Sequence, residues 1–97
     1  MEEEEIFRNI KQINYINLGS IDIYVNCRFK RKLLGILMEQ FFFENLDYSI
    51  IPEFDKIKIR TGIKNNTICR NIEIFILRKK IYFLEKQIKI LEKSNHV

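Results

Sequence analysis

Residues 74–91 read IFILRKKIYFLEKQIKIL, and the placement of isoleucine and leucine in this stretch decides how the rest of the chain is read. Ile74, Ile81 and Ile88 recur every seventh residue, and Leu77, Leu84 and Leu91 do the same three positions later. They fit positions a and d of three consecutive heptads, and in a parallel pair β-branched Ile at a with Leu at d favours two strands. The spacing predicts a coiled-coil helix. Phe75, Ile76, Tyr82, Phe83 and Ile90 fall at positions b and c, so the helix is apolar on two sides and calls for more than one packing partner.

Working back towards the N-terminus, the helical period extends through Ile57 and Phe54 to Ile50, giving an expected long helix over 50–93. Ser49 or Asp47 can cap it, and Pro52 then sits in its first turn, where a missing N–H costs least. Thr61, Gly62, Asn65, Asn66 and Thr67 are weak helix formers, so a break at 61–67 is allowed. Residues 20–45 read as two small β-hairpins. Ile21, Ile23, Val25, Cys27 and Phe29 alternate with Asp22, Tyr24, Asn26 and Arg28, the mark of a half-buried strand. The apolar run 33–38 suits a second strand, although period alone also permits a helix, and Phe41, Phe42 and Phe43 suit a third. A short N-terminal helix is expected over 3–16 from Ile6, Phe7, Ile10 and Ile13, begun by Glu2 to Glu5, whose charges suit a helix N-terminus. Gly19 stops it. The fold class is α+β, in a single domain over 1–97.

The bulk numbers narrow the function. A chain of 97 residues lies where one core is only just sufficient, so oligomerisation is expected. Its 46% hydrophobic and 31% charged residues are globular composition, and no apolar run approaches the roughly 20 residues of a membrane span. The acidic start is the reverse of a signal peptide, which points to a cytoplasmic or nuclear protein. Cys27 and Cys69 form no CxxC pair and read as reduced packing residues. His96 is the one histidine, and Gly19, Gly35 and Gly62 are too scattered to cradle a phosphate. Neither catalytic triad, metal site nor cofactor site can be built from these groups, and an enzyme is not expected.

Charge is distributed unevenly. Lys56, Lys58, Arg60, Lys64, Arg70, Arg78, Lys79, Lys80, Lys86, Lys89 and Lys93 face only Glu73, Glu85 and Glu92 in the same segment. Such a segment can bind nucleic acid, with Tyr24 and Phe41 to Phe43 beside Arg28, Lys30, Arg31 and Lys32 as a stacking surface. Long exposed helices also carry lysine simply for solvation, and the aromatics alternate as core residues do.

The order of elements, with Leu18-Gly19 before a strand, Ile23-Tyr24-Val25 within it, Phe41-Phe42-Phe43-Glu44 ending the next and Asn45-Leu46-Asp47 entering a helix, resembles the alpha class of prefoldin subunits. That resemblance covers under half of the chain. It implies an ATP-independent co-chaperone subunit in a hetero-oligomer, with unfolded proteins as clients. Its platform contacts would be Ile21, Ile23, Val25, Phe41, Phe42 and Phe43, and its client-binding tip Ile88, Ile90 and Leu91. Because the N-terminal helix is too short to run beside the C-terminal one, the chain is expected either to be a divergent or N-terminally shortened member or to pair its seam between chains. The alternatives are a basic nucleic-acid-binding or ribonucleoprotein component and a plain coiled-coil dimerisation module.

Overall fold

Alternation of apolar and polar residues is strongest at 20–25 and 56–60, and both stretches are strands at the centre of a four-stranded antiparallel sheet. The computed structural model describes residues 2–16, 19–42, 48–62 and 66–94. In chain order the elements are α1 (Glu2–Arg8), β1 (Ile10–Ile16), β2 (Ser20–Val25), a 3-10 turn (Cys27–Phe29), α2 (Lys30–Phe41), β3 (Ser49–Pro52), β4 (Lys56–Arg60) and α3 (Asn66–Ser94). The fold is α+β, and the strands lie in the order β1-β2-β4-β3.

Strand β2 pairs with β1 on one side and β4 on the other, with Ile23 opposite both Ile13 and Ile57, and Ile21 opposite Tyr15 and Ile59. Because side chains alternate across a sheet, these residues share one face. Ile21, Ile23, Val25, Ile57 and Ile59 are buried there against Ile6 and Phe7 of α1, Leu33 and Leu37 of α2, and Cys69, Ile72 and Ile76 of α3. All three helices therefore cover the same side, giving two layers around one core. Each isoleucine so buried contributes about 1.5–3 kcal/mol relative to exposure.

Several expectations are corrected by this topology. The helix expected over 3–16 is only seven residues long, and β1 occupies the rest. Ile6, Phe7, Ile10 and Ile13 satisfy helical spacing, but Ile13 and Tyr15 also satisfy the strand period, and pairing with β2 settles the choice. The strand expected to reach Phe29 stops at Val25, where Asn26 accepts a hydrogen bond from the Arg28 amide and turns the chain. Residues 33–38 and Phe41 are not strands of hairpins but parts of α2. Phe29, Leu33, Leu37 and Phe41 recur every fourth residue, and the first three are buried along one side. Phe43 lies outside the described residues, as do Lys64 and His96.

The long helix expected over 50–93 is divided. Ser49–Pro52 and Lys56–Arg60 form a hairpin of the sheet, and α3 begins only at Asn66. Pro52 ends an edge strand, where no ladder hydrogen bond is lost, rather than beginning a helix. At 29 residues α3 is about 43 Å long, not the 66 Å or so that a helix over 50–93 would reach.

One backbone contact closes the sheet against α3. Gly19 at φ 82° approaches Gly62 at φ 79°, and a Cβ on Gly19 would overlap the Gly62 carbonyl. Gly19 also accepts a 2.7 Å bond from the Thr61 amide. Thr61 Oγ1 lies 3.3 Å from Cys69 Sγ on α3, joining the end of β4 to the first turns of the helix.

Around the helices, Phe7 meets Phe75 edge-on at 6.0 Å and stacks near Phe83 at 6.2 Å. Lys79 pairs with Glu3 at 2.8 Å, and Lys80 donates to the Ile10 carbonyl at 2.8 Å. Phe83 is the last buried residue of α3, so 84–94 project as a bare arm. Among the described residues no helix is long and apolar enough to cross a membrane.

Candidate functional site

The side of the sheet away from the helices is lined by the other half of each strand's alternation. Register places three rows across it: Gln12, Tyr24 and Lys56; Asn14, Asp22, Lys58 and Ile51; Ile16, Ser20, Arg60 and Ser49. None of these residues belongs to the hydrophobic core. With strands about 4.8 Å apart and alternate residues about 6.7 Å apart, the rows make an open field of about 14 by 13 Å.

Its cations come from one strand. Lys56, Lys58 and Arg60 project from β4 between Ile57 and Ile59, which point into the core. Lys56 is held in place: its ammonium lies 3.7 Å from Asp22 and 3.4 Å from Glu53, and 5.5 Å above the Tyr24 ring. Burial opposes its charge, but Asp22, Glu53 and Tyr24 together outweigh that and raise its pKa above the ordinary 10.5. The stabilisation from this pairing is therefore complete at neutral pH and is lost only as pH rises through that raised value. Lys58 and Arg60 form no ion pair among the described residues. They remain available to an anion.

Asp22 stands in the middle row, 5% exposed, with Oδ2 towards Lys56 and Oδ1 without a hydrogen-bond partner among the described residues. A buried carboxylate oxygen left unpaired is costly. Gln12 Nε2 donates to Asn14 Oδ1 at 2.8 Å, which sets the two amides side by side at the edge of the field. Lys11, the extra residue at a break in register between Ile10 and Gln12, is exposed beside them.

The residues singled out by sequence are scattered. Ile74, Leu77, Ile81, Leu84, Ile88 and Leu91 share one side of α3 and are 41–56% exposed, whereas the helix turns Cys69, Ile72, Ile76 and Phe83 to the core. Of the b and c residues, Ile76 and Phe83 are buried while Tyr82 and Ile90 are exposed. Ile21, Ile23 and Val25, expected as contacts between subunits, are filled in by the chain's own helices. Phe41 packs edge-on against Phe75 at 5.4 Å, and Phe42 stacks on Tyr48 at 4.2 Å. Neither joins Arg28, Lys30, Arg31 or Lys32 in a stacking surface; Arg28 lies over Phe29, and Lys30 donates to the Glu53 carbonyl. Of the described members of that set, Tyr24 alone stands on the open face. Ile88, Ile90 and Leu91 are exposed on the projecting arm.

The two cysteines also differ from each other. Cys69 is buried as a packing residue, and burial pushes its thiol up while the bond with Thr61 offsets part of that. Cys27 is exposed, contrary to the packing role expected of it. Among the described residues no group of three or more His, Cys, Asp or Glu side chains is placed to hold a metal ion.

The field on the open face is not legible as a unit when the basic segment is read as one helix, as the helical period over 50–93 suggests. Its signal is nevertheless present: Lys56-Ile57-Lys58-Ile59-Arg60 alternates without exception and is followed by Gly62. Compared with known protein families, curated proteins and solved structures, the chain finds no match in any of the three.

Proposed function

We propose that this protein binds nucleic acid on the open face of its sheet. The observation that carries the reading is the pair Lys58 and Arg60, which form no ion pair among the described residues and stand two residues apart on a face that none of the described helices covers. They would take backbone phosphates, releasing counterions and supplying most of the affinity. Tyr24 offers a ring on which a base can stack, and Gln12 and Asn14 offer hydrogen bonds to base edges. Binding of this kind requires no cofactor and no catalytic step.

Fluorescence anisotropy with labelled DNA and RNA, each as duplex and single strand, tests the proposal. At about 50 mM salt, binding is expected with a log–log salt slope near −2, the contribution of two phosphate contacts. Lys58→Glu with Arg60→Glu should lower affinity by about tenfold or more, whereas Lys86→Glu with Lys89→Glu on the arm should change it by less than about twofold. An equal loss from both double variants, or no binding at low salt, rules the sheet face out.

A second reading, a prefoldin-like co-chaperone subunit, is favoured by the apolar tip at Ile88, Ile90 and Leu91. It expects the chain to suppress aggregation of an unfolded client without ATP, and Ile90→Asp to abolish that effect. Suppression unchanged by Ile90→Asp would remove the tip from consideration.

A further inference from the structure

The seam on α3 is left without a partner by the fold. Its six residues point about 120° around the helix from the buried stripe of Cys69, Ile72, Ile76 and Phe83. A second helix along Ile74, Leu77, Ile81, Leu84, Ile88 and Leu91 would therefore lie beside the buried stripe rather than over it, passing Arg8 of α1 near Leu84 and Phe41 of α2 near Ile74. The same helix also carries the charges that choose a partner. Position g is Glu73, Lys80 and Gln87, and position e is Arg78, Glu85 and Glu92.

In a parallel pair each g residue faces the e residue five positions further along the other helix. For two copies of this chain that sets Glu73 against Arg78 and Lys80 against Glu85, each twice by symmetry, and Gln87 against Glu92. No like charges meet. Lys80 already gives one proton to the Ile10 carbonyl and has two more to donate. Glu73, Arg78 and Glu85 have no ion-pair partner among the described residues of their own chain. The six half-exposed side chains of each helix would bury on the order of 1,000 Å² counted over both chains, about the minimum for a specific interface.

We infer that the seam is covered by a second copy of the same chain, as a parallel two-helix coiled coil along 74–91. Isoleucine at a and leucine at d fix the number of strands at two, and the g-to-e pairs fix the direction. The inference is independent of the nucleic-acid reading, because seam and sheet face share no residue.

Sedimentation equilibrium of the full chain over a range of concentrations tests it. The mass is expected to rise from one chain to two, and Ile81→Asp, on the exposed side of α3, should raise the dissociation constant by about a hundredfold by placing a charge in the dry seam. Circular dichroism should show its strands and helices retained. Glu73→Arg or Arg78→Glu alone should weaken the pair several-fold, and the two together should restore it, since the exchanged charges still face each other in parallel register. A single chain at every concentration overturns the inference. Dimers that survive Ile81→Asp overturn the seam as the interface, and a double charge variant no better than the single ones overturns the parallel direction.

Discussion

The two faces of the central strands are built from alternate residues of the same ten or so positions, yet they obey opposite rules. On the inner face Ile21, Ile23, Ile57 and Ile59 are fully buried, and every one meets another branched or aromatic side chain across the ladder or from a helix. On the outer face Asp22, Tyr24, Lys58 and Arg60 occupy the intervening positions, with none of the described helices packed over them. The inner face stabilises the fold by removing apolar area from water. The outer one places charges and hydrogen-bonding groups at fixed spacing on a rigid support, where moving them costs the fold little. The polar face and the core can thus be changed almost independently in five residues of sequence.

That separation can be broken most sharply from the inside. Ile23→Ala removes a side chain at the centre of the sheet and should cost about 3–4 kcal/mol in urea denaturation, through lost transfer energy and the cavity left behind. A loss under about 1 kcal/mol would mean that the inner face is not the packed core described here.

The glycines at the sheet's end sharpen the comparison next. Gly19→Ala meets both an unfavourable positive φ and the Gly62 backbone, and should destabilise by about 2 kcal/mol or more. Gly62→Ala has the same φ but open space around the new Cβ, so about 1 kcal/mol is expected. Equal effects in thermal or urea unfolding would show that the close approach contributes nothing. Smallest of all should be Lys58→Ala with Arg60→Ala, whose unfolding free energy should stay within about 0.5 kcal/mol of the parent. A larger change would tie these cations to stability and weaken the case for keeping them as a binding surface.

The sequence was most readable where one element carried an unambiguous period. The alternation of Ile21, Ile23 and Val25 gives β2, and the heptads of 74–91 lie wholly within α3. The readings that failed involve short windows compatible with two periods. Ile10 and Ile13 extended a helix on paper because two isoleucines three residues apart do not distinguish it from a strand when Tyr15 is ignored. Phe54 and Ile57 fit one helical stripe by spacing, yet Phe54 is 82% exposed and Ile57 alternates with Ile59 along β4. The aromatic run 41–43 looked like a strand by propensity, whereas Phe41 completes a four-residue repeat on α2. Propensity is overridden where tertiary contacts reward the other choice.

The candidate site was legible in part. Lys56, Lys58 and Arg60 are legible as basic, but their common face with Asp22 and Tyr24 depends on β2, already paired with β1, taking β4 rather than β3 as its second neighbour. More than thirty residues separate Asp22 from Lys58, and α2 and β3 intervene. Nothing local to either strand specifies that pairing.

By itself the sequence determined the alternation that gives each central strand an apolar and a polar side, and the heptads that give α3 a continuous seam, because both are repeats within one element. Tertiary structure decided which of those sides the protein covers. Packing α1, α2 and α3 on one face of the sheet left Lys58 and Arg60 in the open, and choosing Cys69, Ile72, Ile76 and Phe83 as the buried stripe left the seam outside. Both outcomes come from competition for a limited core: three helices and one sheet face fill it, and the remaining patterned surfaces stay outside.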